Sequence, residues 1–368
     1  SMQDASTRPD ALHGAAPVQA APLRLRRVGI LLGGLSSERE VSLLTGGSVL
    51  AALRAGGARP TPEHLEAIEW RPAGTPAGEL VFADRVLPFH EGLSHLCSFD
   101  VLFLALHGGA GEDGRLQGLL DLLGIAYTGS GHAASALAMD KWRTREAAAA
   151  LGLAVAPGWL LDGAGLRAAL GAAEMRRALE SGWVIKPRAD GSSVGVELGA
   201  GWAELGLRLE ARLAREAAVI VEARVRGLEL TCAVLESTPG APRALPPVEI
   251  VPRGSGWFDY QQKYSSDGAE EFCPPRWLPA EAQGRLQADA LALHRALGCR
   301  GLTRSDFIWP LGADGALDLR ARPILLEINT LPGLTPRSLA PLAARAAGID
   351  YRDLCLDLLD AAWLRSRA

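Results

Sequence analysis

The sequence predicts a mixed α/β and α+β chain in three parts, opening with an N-terminal open parallel sheet. Three observations lead there. A strand, a glycine turn and a capped helix follow one another at 27–53; apolar runs alternate with helical stretches up to about residue 138; and from Met139 the texture changes to Ala-rich helices among short strands.

Arg27-Val28-Gly29-Ile30-Leu31-Leu32 is a short apolar run ending in Gly33-Gly34, the pattern of a buried strand that feeds a tight turn. Ser37-Glu38-Arg39-Glu40 reads as a capping box ahead of Val41, Leu44, Val49, Leu50 and Leu53 at helical spacing. Val101 to Leu106 predicts a parallel strand, Leu116 to Leu123 a helix, and Ile125 to Thr128 a further strand. Beyond Met139, helices are expected over Lys141–Leu151 and Leu166–Leu179, with strands at 184–186, 194–197 and 219–222. The remainder carries strands at 229–235, 302–309 and 324–329 and helices at about 280–297 and 338–364. The predicted parts are therefore a disordered tail at 1–23, an α/β domain at 24–138, a central α+β domain at 139–222 and a C-terminal domain at 223–368.

Composition narrows the class of function. Of 368 residues, 48% are hydrophobic and 22% charged, the balance of a soluble globular protein. A net charge of −4 offers no basic excess for nucleic acid. Five scattered cysteines, odd in number, suit reduced thiols and neither a disulfide framework nor a zinc site. No apolar stretch is long enough to span a bilayer and the tail lacks the apolar core of a secretory signal, so the expected location is cytoplasmic.

Three segments carry candidate chemistry. His107-Gly108-Gly109-Ala110-Gly111-Glu112-Asp113-Gly114 follows a predicted strand at the sheet edge where ligands bind, and Glu112 and Asp113 can cap the next helix. Alone, this loop fits a glycine turn with a solvated acid pair better than it fits a site. Lys186-Pro187-Arg188-Ala189-Asp190-Gly191-Ser192-Ser193-Val194-Gly195 places a strand lysine before a small-residue loop whose amides could wrap phosphates, without the Gly-Lys-Ser/Thr of a Walker loop. Lys141 opens a helix, where the macrodipole disfavours a cation and an anionic partner would explain it.

The third segment is the most specific. Arg304-Ser305-Asp306 and Glu327-Ile328-Asn329 are strand segments, so residues two apart share a face. If the strands are neighbours, two carboxylates and an amide oxygen converge as Mg²⁺ requires, beside an arginine fit to stabilise phosphoryl transfer. A solvated strand face with one Arg–Asp pair explains it less well, because Leu325, Leu326 and Ile328 read as a core strand that Glu and Asn interrupt.

Together these segments resemble the D-alanine–D-alanine ligases of the ATP-grasp superfamily, over nearly the whole span from Arg27 to Leu358. The resemblance rests on GGLSSEREVSL (33–43), HGGAGEDGRLQG (107–118), YTGSG (127–131), MDK (139–141), KPRADGSSVGV (186–196), GLELT (227–231), FDYQQKY (258–264), RSDF (304–307) and LEINTLPGLTPRSL (326–339). It implies ATP bound between the central and C-terminal domains, held by Lys141, Lys186, Ser193 and Lys263, with Glu222 at the adenine and Glu229 at the ribose. Asp306, Glu327 and Asn329 would bind two Mg²⁺ ions, or Mn²⁺. Glu38 would anchor the first substrate's ammonium, linked through Ser192 and Tyr264 to a mobile lid at 257–268. Arg304 and the Gly333 backbone would stabilise the oxyanion; His107 would lie near the first D-alanine, and Ser338 and Leu339 would meet the second. The implied activity is ATP-dependent joining of two D-alanines through an acyl phosphate, for peptidoglycan precursors, by a homodimer.

Three features depart from the family pattern. Thr303 and Ser305 flank Arg304 where small or aliphatic residues are usual, which points to altered packing behind the strand. The 307–326 connection is longer than usual, and a turn at Asp314-Gly315 leaves arms of unequal length, so a bulge is expected. The N-terminal tail has no counterpart. Competing readings are a ligase of the same fold with D-lactate, D-serine or another amino acid as second substrate, and a catalytically silent ATP-binding homologue. The silent homologue should lack a metal ligand or the arginine, and none is missing. A dinucleotide-binding dehydrogenase fails because Gly33-Gly34 is not part of a Gly-x-Gly-x-x-Gly.

Overall fold

The computed structural model describes residues 27–55, 64–189, 195–252 and 269–367. Ser192, Ser193, Lys263, Tyr264, the expected lid and the 1–23 tail lie outside the described residues.

Three sheets organise the chain. In the first, Val28–Gly33 lies at the centre, parallel to Leu65–Arg71 on one side and to Val101–Leu104 on the other, with Ala126–Tyr127 beyond. Glu79–Val81 and Val86–Pro88 extend the Leu65–Arg71 side antiparallel, so the expected parallel sheet carries an antiparallel edge. Every residue of Val28–Gly33 is buried, as its unbroken apolar run requires. The helix Arg39–Ala55 lies close on this strand because Gly46 has no side chain; a Cβ there would stand 2.5 Å from that of Leu32. Ser36, not Ser37, supports the turn into this helix, its hydroxyl accepting from the Glu38 amide at 3.2 Å.

The central sheet is antiparallel throughout, in the order Glu197–Gly199, Trp183–Pro187, Ala218–Ala223, Gly158–Asp162. It has its own core, built on Met175, Trp183, Ile185, Leu205, Leu209 and Val219. The helical stretch expected over Leu166–Leu179 is two short helices, Leu166–Gly171 and Ala173–Ala178, because Ala172 takes an extended conformation (φ −79°, ψ 117°) between them.

The C-terminal sheet runs Glu270–Phe272, Val248–Val251, Gly227–Leu235, Leu302–Pro310, Ile324–Asn329, Ala154–Val155. The sequence reading groups 139–156 with the central domain, yet Ala154–Val155 pairs parallel with Ile324–Leu325, and Ala148 and Leu153 share a core with Leu325 and Ile328. Lys141–Ala150 therefore belongs to the C-terminal body by packing, and the central sheet proper begins at Gly158.

Between Asp306 and Phe307 the pairing shifts: Asp306 opposes Glu327, and Phe307 opposes Leu325. Leu326 is the extra residue of a β-bulge, as the unequal arms predict. In a regular strand Glu327 and Leu325 would share a face; the bulge lets Glu327 join Asp306 while Leu325 turns into the core. The single helix expected at 338–364 is two, Leu339–Ala346 and Tyr351–Arg365. Gly348 (φ 80°) ends the first, and Asp350 caps the second by accepting from the Asp353 amide at 2.8 Å. Among the described residues no helix is long and apolar enough to cross a membrane.

Candidate active site

The antiparallel register of Leu302–Pro310 with Ile324–Asn329 sets Arg304 opposite Asn329 and Asp306 opposite Glu327, so all four share one face. Gly227–Leu235 adds Thr231, opposite Asp306, and Glu229 two residues before it. Arg304 grips Asp306 with two parallel bonds, Nε to Oδ1 at 2.9 Å and Nη2 to Oδ2 at 2.7 Å. The Thr231 hydroxyl donates to Asp306 Oδ1 at 2.6 Å. Asn329 Nδ2 is buried with no hydrogen-bond partner among the described residues.

Lys141–Ala150 joins this face to the central sheet. Asp140 caps the helix, accepting from the amides of Trp142 and Arg143. The Lys141 ammonium lies 2.9 Å from Glu327 Oε2, an anionic partner of the kind its place at a helix start calls for. One turn on, Arg145 reaches the central sheet and pairs with Glu222 Oε1 at 3.0 Å. Glu222 Oε2 lies 2.8 Å from Lys186 Nζ, a diagonal pair across neighbouring strands with both side chains about nine-tenths buried. The segment after Lys186 is tied back to the helix start: Arg188 pairs with Asp140 at 2.7 Å, and its carbonyl accepts from the Lys141 amide. Lysines, arginines and carboxylates thus link the C-terminal sheet to the central one.

The first domain supplies a third group. Glu38 is buried, and its Oε2 would be 2.5 Å from a Cβ on Gly108, whose φ of 63° also favours glycine. Ser36 fixes the spacing, donating to the His107 carbonyl at 2.6 Å. His107 is itself buried, with Nδ1 3.0 Å from the Leu331 carbonyl and Nε2 3.0 Å from the Thr45 hydroxyl. Burial lowers its pKa to about 4, so the ring is neutral near pH 7. The expected helix-capping role of Glu112 is not found. Its Oε2 accepts from the Gly108 amide at 2.9 Å and its Oε1 from the Leu331 amide at 3.4 Å, while Asp113 alone supports the next helix, its Oδ1 accepting from the Arg115 amide at 3.1 Å. Burial, and then the Glu38 charge, push the Glu112 carboxyl up to about 7.

Asn329 leads through Leu331 to Gly333, where a Cβ would stand 3.2 Å from the Ser338 hydroxyl. That hydroxyl accepts from the Thr335 amide at 3.1 Å and precedes the helix Leu339–Ala346. The Leu339 side chain is buried in apolar core, so a binding role at 339 falls to its backbone in the helix's first turn. Of the residues singled out in the sequence, the structure brings Arg304, Asp306, Glu327, Asn329 and Lys141 together, with Lys186 and Glu222 on the facing sheet. Glu38 and His107 stand at the first-domain side. Sequence reasoning missed Arg145 and Thr231 and gave Glu112 a different role. Only Thr231 had a signal, since period 2 puts it on the face of Glu229.

A family model for the D-ala D-ala ligase N-terminus matches residues 27–130, and one for the D-ala D-ala ligase C-terminus matches 148–360. The chain belongs to the D-alanine–D-alanine ligase family. Among curated relatives, the D-alanine–D-alanine ligase of Cupriavidus metallidurans is 40% identical over 93% of this chain and 94% of its own length. That of Aromatoleum aromaticum is 42% identical over 92% and 96%. Among solved structures, the D-alanine–D-alanine ligase of Bacillus anthracis complexed with ATP has a TM-score of 0.70 at 28% identity, covering 94% of this chain and 99% of that one. The VanG D-Ala:D-Ser ligase of Enterococcus faecalis has a TM-score of 0.76 at 27% identity, covering 92% and 100%. The family's ATP-grasp fold is the three-sheet arrangement described above.

Proposed function

We propose that this chain joins two D-alanines into D-alanyl-D-alanine at the expense of ATP, through an acyl phosphate, for peptidoglycan precursors. The observation that carries the reading is the single strand face on which Arg304, Asp306, Glu327 and Asn329 meet, with Lys141 already bonded to Glu327. Such a face can hold a triphosphate, a metal and a developing oxyanion together.

The donor set suits Mg²⁺ or Mn²⁺: two carboxylates on directly opposed residues, and an amide whose buried nitrogen has no partner among the described residues. Among those residues no group of three His, Cys, Asp or Glu side chains converges, so a third protein ligand would be the Asn329 oxygen. Held by Asp306, Glu327 and Asn329, Mg²⁺ would neutralise charge on the phosphates.

Lys141 and Lys186 each rest on a carboxylate, and each would turn to ATP phosphates as nucleotide binds between the two sheets. Glu222 and Glu229 would take the adenosine end, and Ser193 and Lys263 would close on the phosphates. Glu38 would fix the ammonium of the first D-alanine, whose carboxylate attacks the γ-phosphorus and expels ADP. The amine of the second, held near Ser338 and Leu339, then attacks the acyl carbon; the C–N bond forms and inorganic phosphate leaves with the bridging oxygen. A guanidinium has five N–H donors, and Asp306 takes two from Arg304; the tetrahedral oxygen would be met by this fork and the Gly333 amide. Ser192 and Tyr264 would link the lid to Glu38, keeping water from the acyl phosphate. Most of the rate enhancement then comes from positioning and charge neutralisation.

The test is phosphate release from Mg·ATP with D-alanine, L-alanine, or D-alanine plus D-lactate or D-serine, with products identified by mass. D-alanyl-D-alanine formed one for one with phosphate is expected. Phosphate release that depends on another acceptor would replace the proposed second substrate, and no ligation product with any of them would overturn the reading.

A further inference from the structure

Leu331 is held from three sides by the first domain. Its side chain is buried among Leu104, Leu106 and Tyr127 of that domain's core. Its carbonyl faces His107 Nδ1 at 3.0 Å; a carbonyl can only accept, so Nδ1 carries the proton and Nε2 accepts from the Thr45 hydroxyl. Its amide donates to Glu112 Oε1, while Glu112 Oε2 receives the amide of Gly108. Gly108 lies against the Glu38 carboxylate, and Leu331 stands midway between Asn329 and Gly333.

We propose that Glu112 is a positioning residue whose carboxylate bridges the Gly108 and Leu331 amides and so sets the Leu331–Gly333 segment at a fixed distance from Glu38. The inference rests on the proposed reading of Glu38 as the anchor of the first substrate's ammonium and Gly333 as an oxyanion group. Glu112 touches neither substrate in this scheme. It works through two peptide groups that belong to different domains and are 223 positions apart (331 − 108). Both carboxylate oxygens are needed because both partners are N–H donors, and burial leaves no solvent to take over either bond. His107 and Thr45 hold the other backbone group of the same residue, so Leu331 is clamped at its N–H and its C=O alike.

Glu112→Gln tests this directly, since a carboxamide offers one acceptor oxygen and an NH₂ that cannot accept; one of the two amides must lose its partner. Hydrogen exchange read by mass spectrometry should show peptides over 329–335 exchanging about tenfold faster, with peptides over 158–223 unchanged. In steady state, KM for the second D-alanine should rise about tenfold and kcat should fall, while KM for ATP stays within about twofold. A merely structural loss would move all constants and all peptides together, and that pattern would overturn the proposal, as would unchanged exchange at 329–335. If the glutamine variant does not fold, Thr45→Val carries the test, because it removes the donor to His107 Nε2 on the other side of the clamp. It should speed exchange over 329–335, Thr45→Ser should restore the wild-type rate, and equal rates in all three proteins would overturn the proposal. Exchange is read without turnover, so failure of the clamp and failure of the proposed reaction are separable outcomes.

Discussion

Asp306 takes two bonds from Arg304 and one from Thr231. Asp306→Asn keeps the shape and removes the charge that holds the guanidinium and would hold a metal. We expect kcat to fall about a hundredfold or more in steady-state assays; near wild-type turnover would remove Asp306 from the metal set. His294 gives the pH dependence. Its ring is buried behind the site strand, bonded to the Thr303 hydroxyl at 2.8 Å, and burial lowers its pKa to about 4 from an ordinary 6.5. The unfolded chain takes up this proton below about pH 6.5 and the native chain resists it, so stability is intact above that pH and declines as pH falls towards 4. Between pH 7 and pH 5 this ring should cost the native state about 2 kcal/mol. His294→Gln should shrink the pH-induced loss in urea unfolding by that amount, and an unchanged loss would contradict the assignment. Glu112 acts in the opposite sense, since its carboxyl is raised and its contribution is lost as pH rises through about 7. Residues that act within one strand were legible because alternation fixes their faces: Arg304 with Asp306, Glu327 with Asn329. Glu112 was not, because its second partner is 219 positions away.

At the scale of elements, the bulge at Leu326 decides whether the site exists. Inserting one residue between Asp306 and Phe307 would give Leu326 a partner, restore regular alternation and force either Glu327 into the core or Leu325 onto the site face. We expect a loss of about 3 kcal/mol or more in denaturant unfolding, together with loss of turnover. Leu326→Ala, which keeps the bulge, should retain turnover; an insertion variant as stable and active as wild type would show that the bulge is dispensable. Its existence was readable from unequal arm lengths, its position was not. The pattern was silent over 65–96, where Leu65–Arg71 carries Glu66 and Glu69 in a strand paired on both sides. Those glutamates find arginines distant in sequence, Arg27 and Arg39, so the polar interruptions that hid the strand are satisfied only in the folded chain. The long C-terminal helix was misread for a local reason: apolar spacing continues through Gly348, and the stop lies in its positive φ and the Asp350 cap.

At the scale of the molecule, the first sheet and the C-terminal helices share one core, in which Val28, Ile30 and Leu53 meet Leu339, Leu354 and Leu358. The central sheet keeps a core of its own. Glu38 and the strand face of Asp306 are therefore parts of one packed body, and Lys186 and Glu222 belong to another. Alternating texture made the three-part division legible, but the placing of 139–156 was not, because Ala-rich helices look alike whichever sheet they cover. The central claim is that the first substrate's own carboxylate becomes the acyl phosphate on that face. It is tested most directly by supplying D-alanine with both carboxylate oxygens as ¹⁸O and weighing the phosphate released. The account predicts one ¹⁸O in each phosphate formed with dipeptide; unlabelled phosphate accompanying dipeptide would contradict it.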